Sequence, residues 1–329
     1  RPPRSTQGVS SAASDVYKRQ YLEGYYGCGV AYAYKMYYRK GLEHGEYQEW
    51  DENGMLSMEG QYIDGETDGE WTGYEYGLKT WTEYFNRLVG ATIGLLIFAT
   101  AWISWPLRKY DRSIAIASIA AFFMVGFQGW LGAKVVGSNL QPGMITIHML
   151  MALAIVGVLI FAMAQARRGI MESQPISSID PHFEKLLYAV LFFTICQIAM
   201  GTQVREMTDF ISKAQGEELR STWVQAMPWF FYVHRSFSAV VLFANLWMGW
   251  LLYRSLGLDH SLTMLALGMI VVVSVAIASG ATLGHLGMPA FVQPTHLLAS
   301  ALLFGLQFLI WMSYRHARDA KASGELVAA

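Results

Sequence analysis

The stretch FYVHRSFSAVVL, residues 231–242, sets a histidine and an arginine side by side at the head of a long apolar run. An earlier stretch, EYFNRLVG at residues 83–90, opens another apolar run in the same way, and Arg87 and Arg235 stand 148 positions apart (235 − 87). The same offset carries LGA at 131–133 onto SGA at 279–281, and TIHMLMAL from Thr146 onto PTHLLASA from Pro294. His148 therefore falls on His296 and Asn86 on His234, with 62 positions separating the pair in each half. A duplicated chain of this kind places equivalent side chains at equivalent depth.

The runs that carry the repeat are membrane-sized. The chain of 329 residues is 53% hydrophobic and only 15% charged, and about 20 apolar residues cross a bilayer core. Seven such runs are expected, at roughly 88–107, 114–136, 144–166, 186–204, 228–253, 262–283 and 288–313. The fold class expected is thus an all-α membrane protein of two pseudo-repeat helical bundles with seven transmembrane helices. The net charge of −1 says nothing about nucleic acid, but no basic cluster is interleaved with aromatics, so no nucleic-acid partner is expected.

Charge between the runs sets the expected orientation. Arg108, Lys109 and Arg112 follow the first run, Arg167, Arg168 and Lys185 the third, Arg254 the fifth, and Arg315, Arg318 and Lys321 lie in the tail. The positive-inside rule puts these on the cytoplasmic side, C-terminus included, in a multi-pass protein of the cell (inner) membrane. Cys28 lies in a polar region and Cys196 in an apolar run, so the two are not expected to pair.

The N-terminal region differs in character. Residues 1–20 have no apolar core of the kind a signal peptide needs and read as an artefactual or disordered segment. HGEYQEWDENG from His44 and DGEWTGYEYG from Asp68 align at an offset of 24, with Gly45 on Gly69 and Glu46 on Glu70. Glycines between short aromatic strands build hairpins, so residues 21–79 are expected to form β-hairpin repeats similar to MORN repeats. Residues 80–170 then form an N-terminal half bundle and 171–329 a C-terminal half bundle.

Four repeat-related positions within one or two turns of the same membrane face point to chemistry, because intramembrane ionisable residues are costly and are kept for use. His234 and His296 on facing helices form a bis-imidazole site suited to haem iron. Arg87 and Arg235, next to the site in each half, suit haem propionates, which a guanidinium grips bidentately. Glu83 lies one helical turn from Asn86 and shares its face. Its repeat counterpart is Phe231, so only the first half carries the acid, consistent with chemistry in one half and electron transfer in the other.

The motifs EYFNR, FQGWLGAKVVGSN, ITIHML, GTQVRE, VHRSFS and QPTHLL, in this order over residues 80 to about 315, resemble the haem A synthase family. That family oxidises the C8 methyl of haem O to the formyl group of haem A with eight helices in two four-helix halves. The resemblance implies haem b held by His234 and His296, with haem O as substrate at His148. It implies Glu83 and Asn86 as the catalytic positions, with haem O synthase and the terminal-oxidase assembly machinery as partners besides the lipid bilayer, and it leaves a homo-oligomer open. Two departures stand out. Asn86 occupies a place where the family commonly has histidine, and residues 38–56, where the repeat offset sets the family's first helix, are too charged to span a bilayer. A b-type cytochrome that only transfers electrons, and an inactive chimeric or truncated synthase, are the alternatives to an active enzyme.

Overall fold

The computed structural model describes residues 19–25, 32–50, 56–137, 143–168, 176, 179, 182–289 and 291–323. It divides into two compact units, residues 1–91 with 215–219, and residues 92–214 with 220–329. In the first unit five strands, β1 (Arg19–Tyr25), β2 (Tyr32–Arg39), β3 (Leu42–Trp50), β4 (Leu56–Ile63) and β5 (Glu66–Gly73), pair antiparallel in sequence order. The repeat of 24 residues is visible in the backbone. Lys40–Gly41 and Asp64–Gly65 both have positive φ and close the β2–β3 and β4–β5 hairpins, as two-residue type I′ turns require. Gly45 (φ 102°) and Gly69 (φ 72°) recur at the same offset, each beside a register shift in its ladder. The region where the repeat offset sets a first helix is therefore strand or hairpin turn wherever it is described, and the bilayer-incompatible charge described there is exposed or half-buried.

Helix α1 runs from Tyr74 to Ser104, beginning inside the second copy of the hairpin repeat, and its membrane-length portion is Tyr84–Lys109 with the short 3-10 turn Trp105–Lys109 included. Pro106 stops it, since proline cannot donate to the helical ladder. Helices α2 (Arg112–Gly137), α3 (Met144–Ala166), α4 (Phe183–Gln215), α5 (Trp229–Leu256), α6 (Ser261–His285) and α7 (Val292–Ser323) follow. Among the described residues, seven helices are long and apolar enough to cross a membrane. They match the seven expected runs, and the protein is a multi-pass membrane protein.

In the second unit α2 packs on α3, α5 on α6, α6 on α7 and α3 on α7. Leu187 and Val190 of α4, Met248 and Leu252 of α5, Met269 and Val273 of α6 and Ile310 of α7 form one core. Gly249 permits the closest approach, because a Cβ there would stand 2.7 Å from Ile270 Cδ1 of α6. The seam between the repeats is α3 against α4 and α7, where Leu153, Ile198 and Phe304 cluster.

A polar lock crosses the C-terminal bundle. Gln307, fully buried, donates to Thr194 Oγ1 (2.9 Å) and Asn245 Oδ1 (2.8 Å), tying α7 to α4 and α5. Hydrogen bonds between membrane helices contribute about 0.6 kcal/mol on average and up to about 1.7. Gln307→Leu strands two acceptors at once and is expected to lower bundle stability by about 1–2 kcal/mol. Thermal unfolding in detergent measures this, and an unchanged midpoint would show that the lock contributes nothing.

Candidate functional site

The repeat places His148, His234 and His296 alike in structure. Each lies within two turns of the start of its helix, on α3, α5 and α7, and each is half-buried. Each also rests on a glycine of the preceding helix. A Cβ at Gly132 of α2 would stand 3.3 Å from His148 Cε1, at Gly201 of α4 3.2 Å from His234 Cε1, and at Gly280 of α6 3.1 Å from His296 Cε1. Such distances lie inside ordinary carbon–carbon contact, so any larger residue would push on the ring.

One helical turn before each glycine stands the residue that holds the histidine. Gln128 donates from Nε2 to the His148 carbonyl (3.0 Å), and Gln197 does the same to the His234 carbonyl (3.0 Å). On α6 the equivalent position is Ala276, whose carbonyl lies 2.9 Å from His296 Nδ1, with Ser279 Oγ 3.1 Å from the same nitrogen. A carbonyl can only accept, so His296 Nδ1 carries the proton and Nε2 keeps its lone pair. Metal-binding histidines are oriented in this way by the contact on their other nitrogen.

His234 and His296 face one another across α5 and α7, their ring centres 6.5 Å apart and their planes at 78°. Two metal–imidazole bonds of about 2 Å each, with about 1.2 Å from each nitrogen to its ring centre, give a separation of about 6.4 Å. The pair therefore has the spacing of two ligands on opposite sides of one metal ion. Among the described residues no cluster of three or more His, Cys, Asp or Glu could hold a bare ion.

The flanking residues are less uniform. Arg235 is exposed, with its guanidinium 5.4 Å from the centre of the Tyr232 ring. Asn86 and Arg87 lie on α1, exposed, in the first unit. Glu83 belongs to α1, but its side chain lies outside the described residues. Its repeat counterpart Phe231 is buried against Trp223, Met227 and Met288, so the second half closes with apolar packing the position where the first carries an acid.

GTQVRE, at 201–206, joins the halves. Gly201 seats His234. Thr202 donates to the Ala199 carbonyl (2.8 Å), which leaves Thr146 to donate to Thr202 (2.6 Å), while Gln203 Nε2 donates to Thr146 (2.9 Å). Glu206 accepts from the Gly143 amide (2.8 Å) at the start of α3. The start of the His148 helix is thus bonded directly to the helix that carries the His234 seat. Gln128, Gln197 and the Thr146–Thr202 contact escaped the motif reading, although a shared Gln-x-x-x-Gly pattern at 128–132 and 197–201 was there to be seen.

The fold and this site define a multi-span membrane protein with two imidazoles facing one another between membrane-length helices. The profile of the cytochrome oxidase assembly protein family matches residues 48–308, and the chain belongs to that family. Its first matched residue lies within β3, so the match takes in part of the sheet as well as the helices. Similar curated proteins are the heme A synthases of Methylobacterium radiotolerans, 30% identical over 28% of this chain and 27% of that one, and of Methylobacterium sp. strain 4-46, 29% identical over 36% and 34%. The heme A synthase of Exiguobacterium sibiricum is 23% identical over 76% of this chain and 82% of its own. The chain thus matches about a third or less of the length of the first two relatives and most of the third. No solved structure matches significantly.

Proposed function

We propose that the protein is a haem A synthase-type membrane oxidoreductase that converts the C8 methyl of haem O to a formyl group. The observation that carries this reading is the His234–His296 pair, at a ring separation of 6.5 Å, with the His296 lone pair fixed by the Ala276 carbonyl. In this reading the two histidines hold haem b, and Arg235 reaches a propionate. The bound haem b would supply one-electron transfer.

The first half takes the substrate. In this reading His148 would hold the substrate iron and Arg87 a propionate, and Asn86 and Glu83, one helical turn apart and so on one face of α1, would be the catalytic positions. Methyl-to-formyl conversion removes electrons and protons together. The carboxylate assigned to that work is Glu83, as a proton carrier or as a stabiliser of developing positive charge. Haem O synthase and the terminal-oxidase assembly machinery are the partners that such a reaction needs upstream and downstream. The basic links are cytoplasmic, and the histidine sites lie toward the opposite face.

The experiment is co-expression of the chain with a source of haem O, purification from membranes, and identification of the extracted haems by chromatography and mass. Haem A, or its hydroxylated precursor, together with haem B is the expected outcome. Haem B alone would favour the electron-transfer cytochrome. Glu83→Gln is expected to keep haem B while lowering haem A about 10²-fold or more, the usual contribution of a positioned acid or base. An unchanged haem A yield would remove Glu83 from the chemistry.

A further inference from the structure

The contact that distinguishes the three histidines is the one made to Nε2. Gln128 Nε2 lies 3.2 Å from His148 Nε2 as well as 3.0 Å from the His148 carbonyl. The carbonyl settles which end of the amide is which, because an amide oxygen placed there would face another acceptor. Both hydrogens of the amide nitrogen are thereby engaged, one on the carbonyl and one on the imidazole. His148 Nε2 must then be the acceptor and the ring proton must sit on Nδ1, which is buried without a partner among the described residues. The lone pair that a metal would take is already occupied.

The second half is arranged in the opposite sense. The repeat counterpart of Gln128 is Ala276, which has no side-chain amide to offer, and its carbonyl holds the far nitrogen of His296. Gln197 bonds the His234 carbonyl. One half therefore fixes its histidine so that Nε2 is free, and the other holds Nε2 itself.

We propose that Gln128 is a positioning residue that makes His148 a releasable ligand, taking up the Nε2 lone pair whenever iron is absent and so easing departure of haem from the first half. This rests on the reading of His148 as the substrate ligand. It fits the division of labour between the halves, since a substrate must leave after oxidation and a resident cofactor must stay. No proton moves in the exchange: the amide hydrogen and the iron alternate on one lone pair, and the ring proton remains on Nδ1.

The test uses the full chain in detergent, loaded with ferric haem B as the probe, and follows transfer of haem to excess apomyoglobin by visible absorption. Release from wild type is expected in two phases, the faster one lost in His148→Ala. Gln128→Met, of similar length but without an N–H, is expected to slow the fast phase about three- to tenfold, the equivalent of one net hydrogen bond. Gln128→Asn, too short to span both acceptors, is expected to do the same, which guards against a packing defect peculiar to methionine. Slowing should vanish when either variant is combined with His148→Ala. An unchanged or faster phase in both variants, with that phase still dependent on His148, would overturn the role of Gln128 alone. If His148→Ala leaves both phases intact, the ligand reading fails and this inference falls with it.

Discussion

Replacing His234 or His296 by alanine is expected to abolish the six-coordinate b-type haem spectrum of the purified protein. The two rings face one another from different helices at a separation of 6.5 Å, each offering one ligand. Loss of one leaves a five-coordinate site at best, with a changed spin state, and loss of both leaves none. Added imidazole should restore part of the six-coordinate spectrum in His234→Ala, because truncation leaves a ring-sized space beside Gly201. Rescue should be weaker in His296→Ala, where the incoming ring must also satisfy the Ala276 carbonyl and Ser279. A six-coordinate b-type spectrum surviving in both variants would sink the ligand assignment.

The second large effect is expected at Gly280. A methyl group there would stand 3.1 Å from His296 Cε1 and 3.5 Å from Nδ1, and the ring cannot retreat without breaking its bond to the Ala276 carbonyl. Overpacking of this kind costs about 1–3 kcal/mol, or about five- to more than a hundredfold in haem affinity. The same change raises helix propensity by about 1 kcal/mol. Gly280→Ala should therefore melt near the wild-type temperature while holding far less haem, and Gly280→Val should hold none. At Gly201 the effect should be smaller, because His234 Nδ1 has no hydrogen-bond partner among the described residues and the ring can turn. Titration with haem B alongside thermal melting separates the two contributions. Equal affinity in Gly280→Ala and wild type would show that the seat is not tight.

Much of this arrangement was legible in the sequence because it depends on period and offset. Seven apolar runs become seven helices since a bilayer admits backbone only when its hydrogen bonds are closed within the segment. The 148-residue repeat pairs His148 with His296 at matching places on α3 and α7, and the 24-residue repeat reappears as two hairpins with turns at Lys40–Gly41 and Asp64–Gly65. Element ends were less legible. Helix α1 starts at Tyr74, ahead of the apolar run expected at roughly 88–107, because nothing in YEYGLKTW forbids a helix before the apolar run begins.

Residue types at repeat-related positions named the histidines, and spacing along the chain set each near the start of its helix. Which nitrogen of each imidazole is engaged is a matter of distances between separate helices, and no periodicity encodes it. Sequence showed glycine at 132, 201 and 280 without showing that each is the floor under a ring, because a glycine reports space only once its neighbour is placed. It showed GTQVRE as a motif, and the tertiary structure made it a junction, with Thr202 and Gln203 reaching Thr146 some 56 residues away. The sequence by itself determined a duplicated set of membrane-length helices with histidines at matching places along them, since hydropathy and repetition are properties of one dimension. Only the tertiary structure decided that Ala276 frees the lone pair of one histidine while Gln128 occupies that of another, since hydrogen bonds a few ångströms long require two helices to be set side by side.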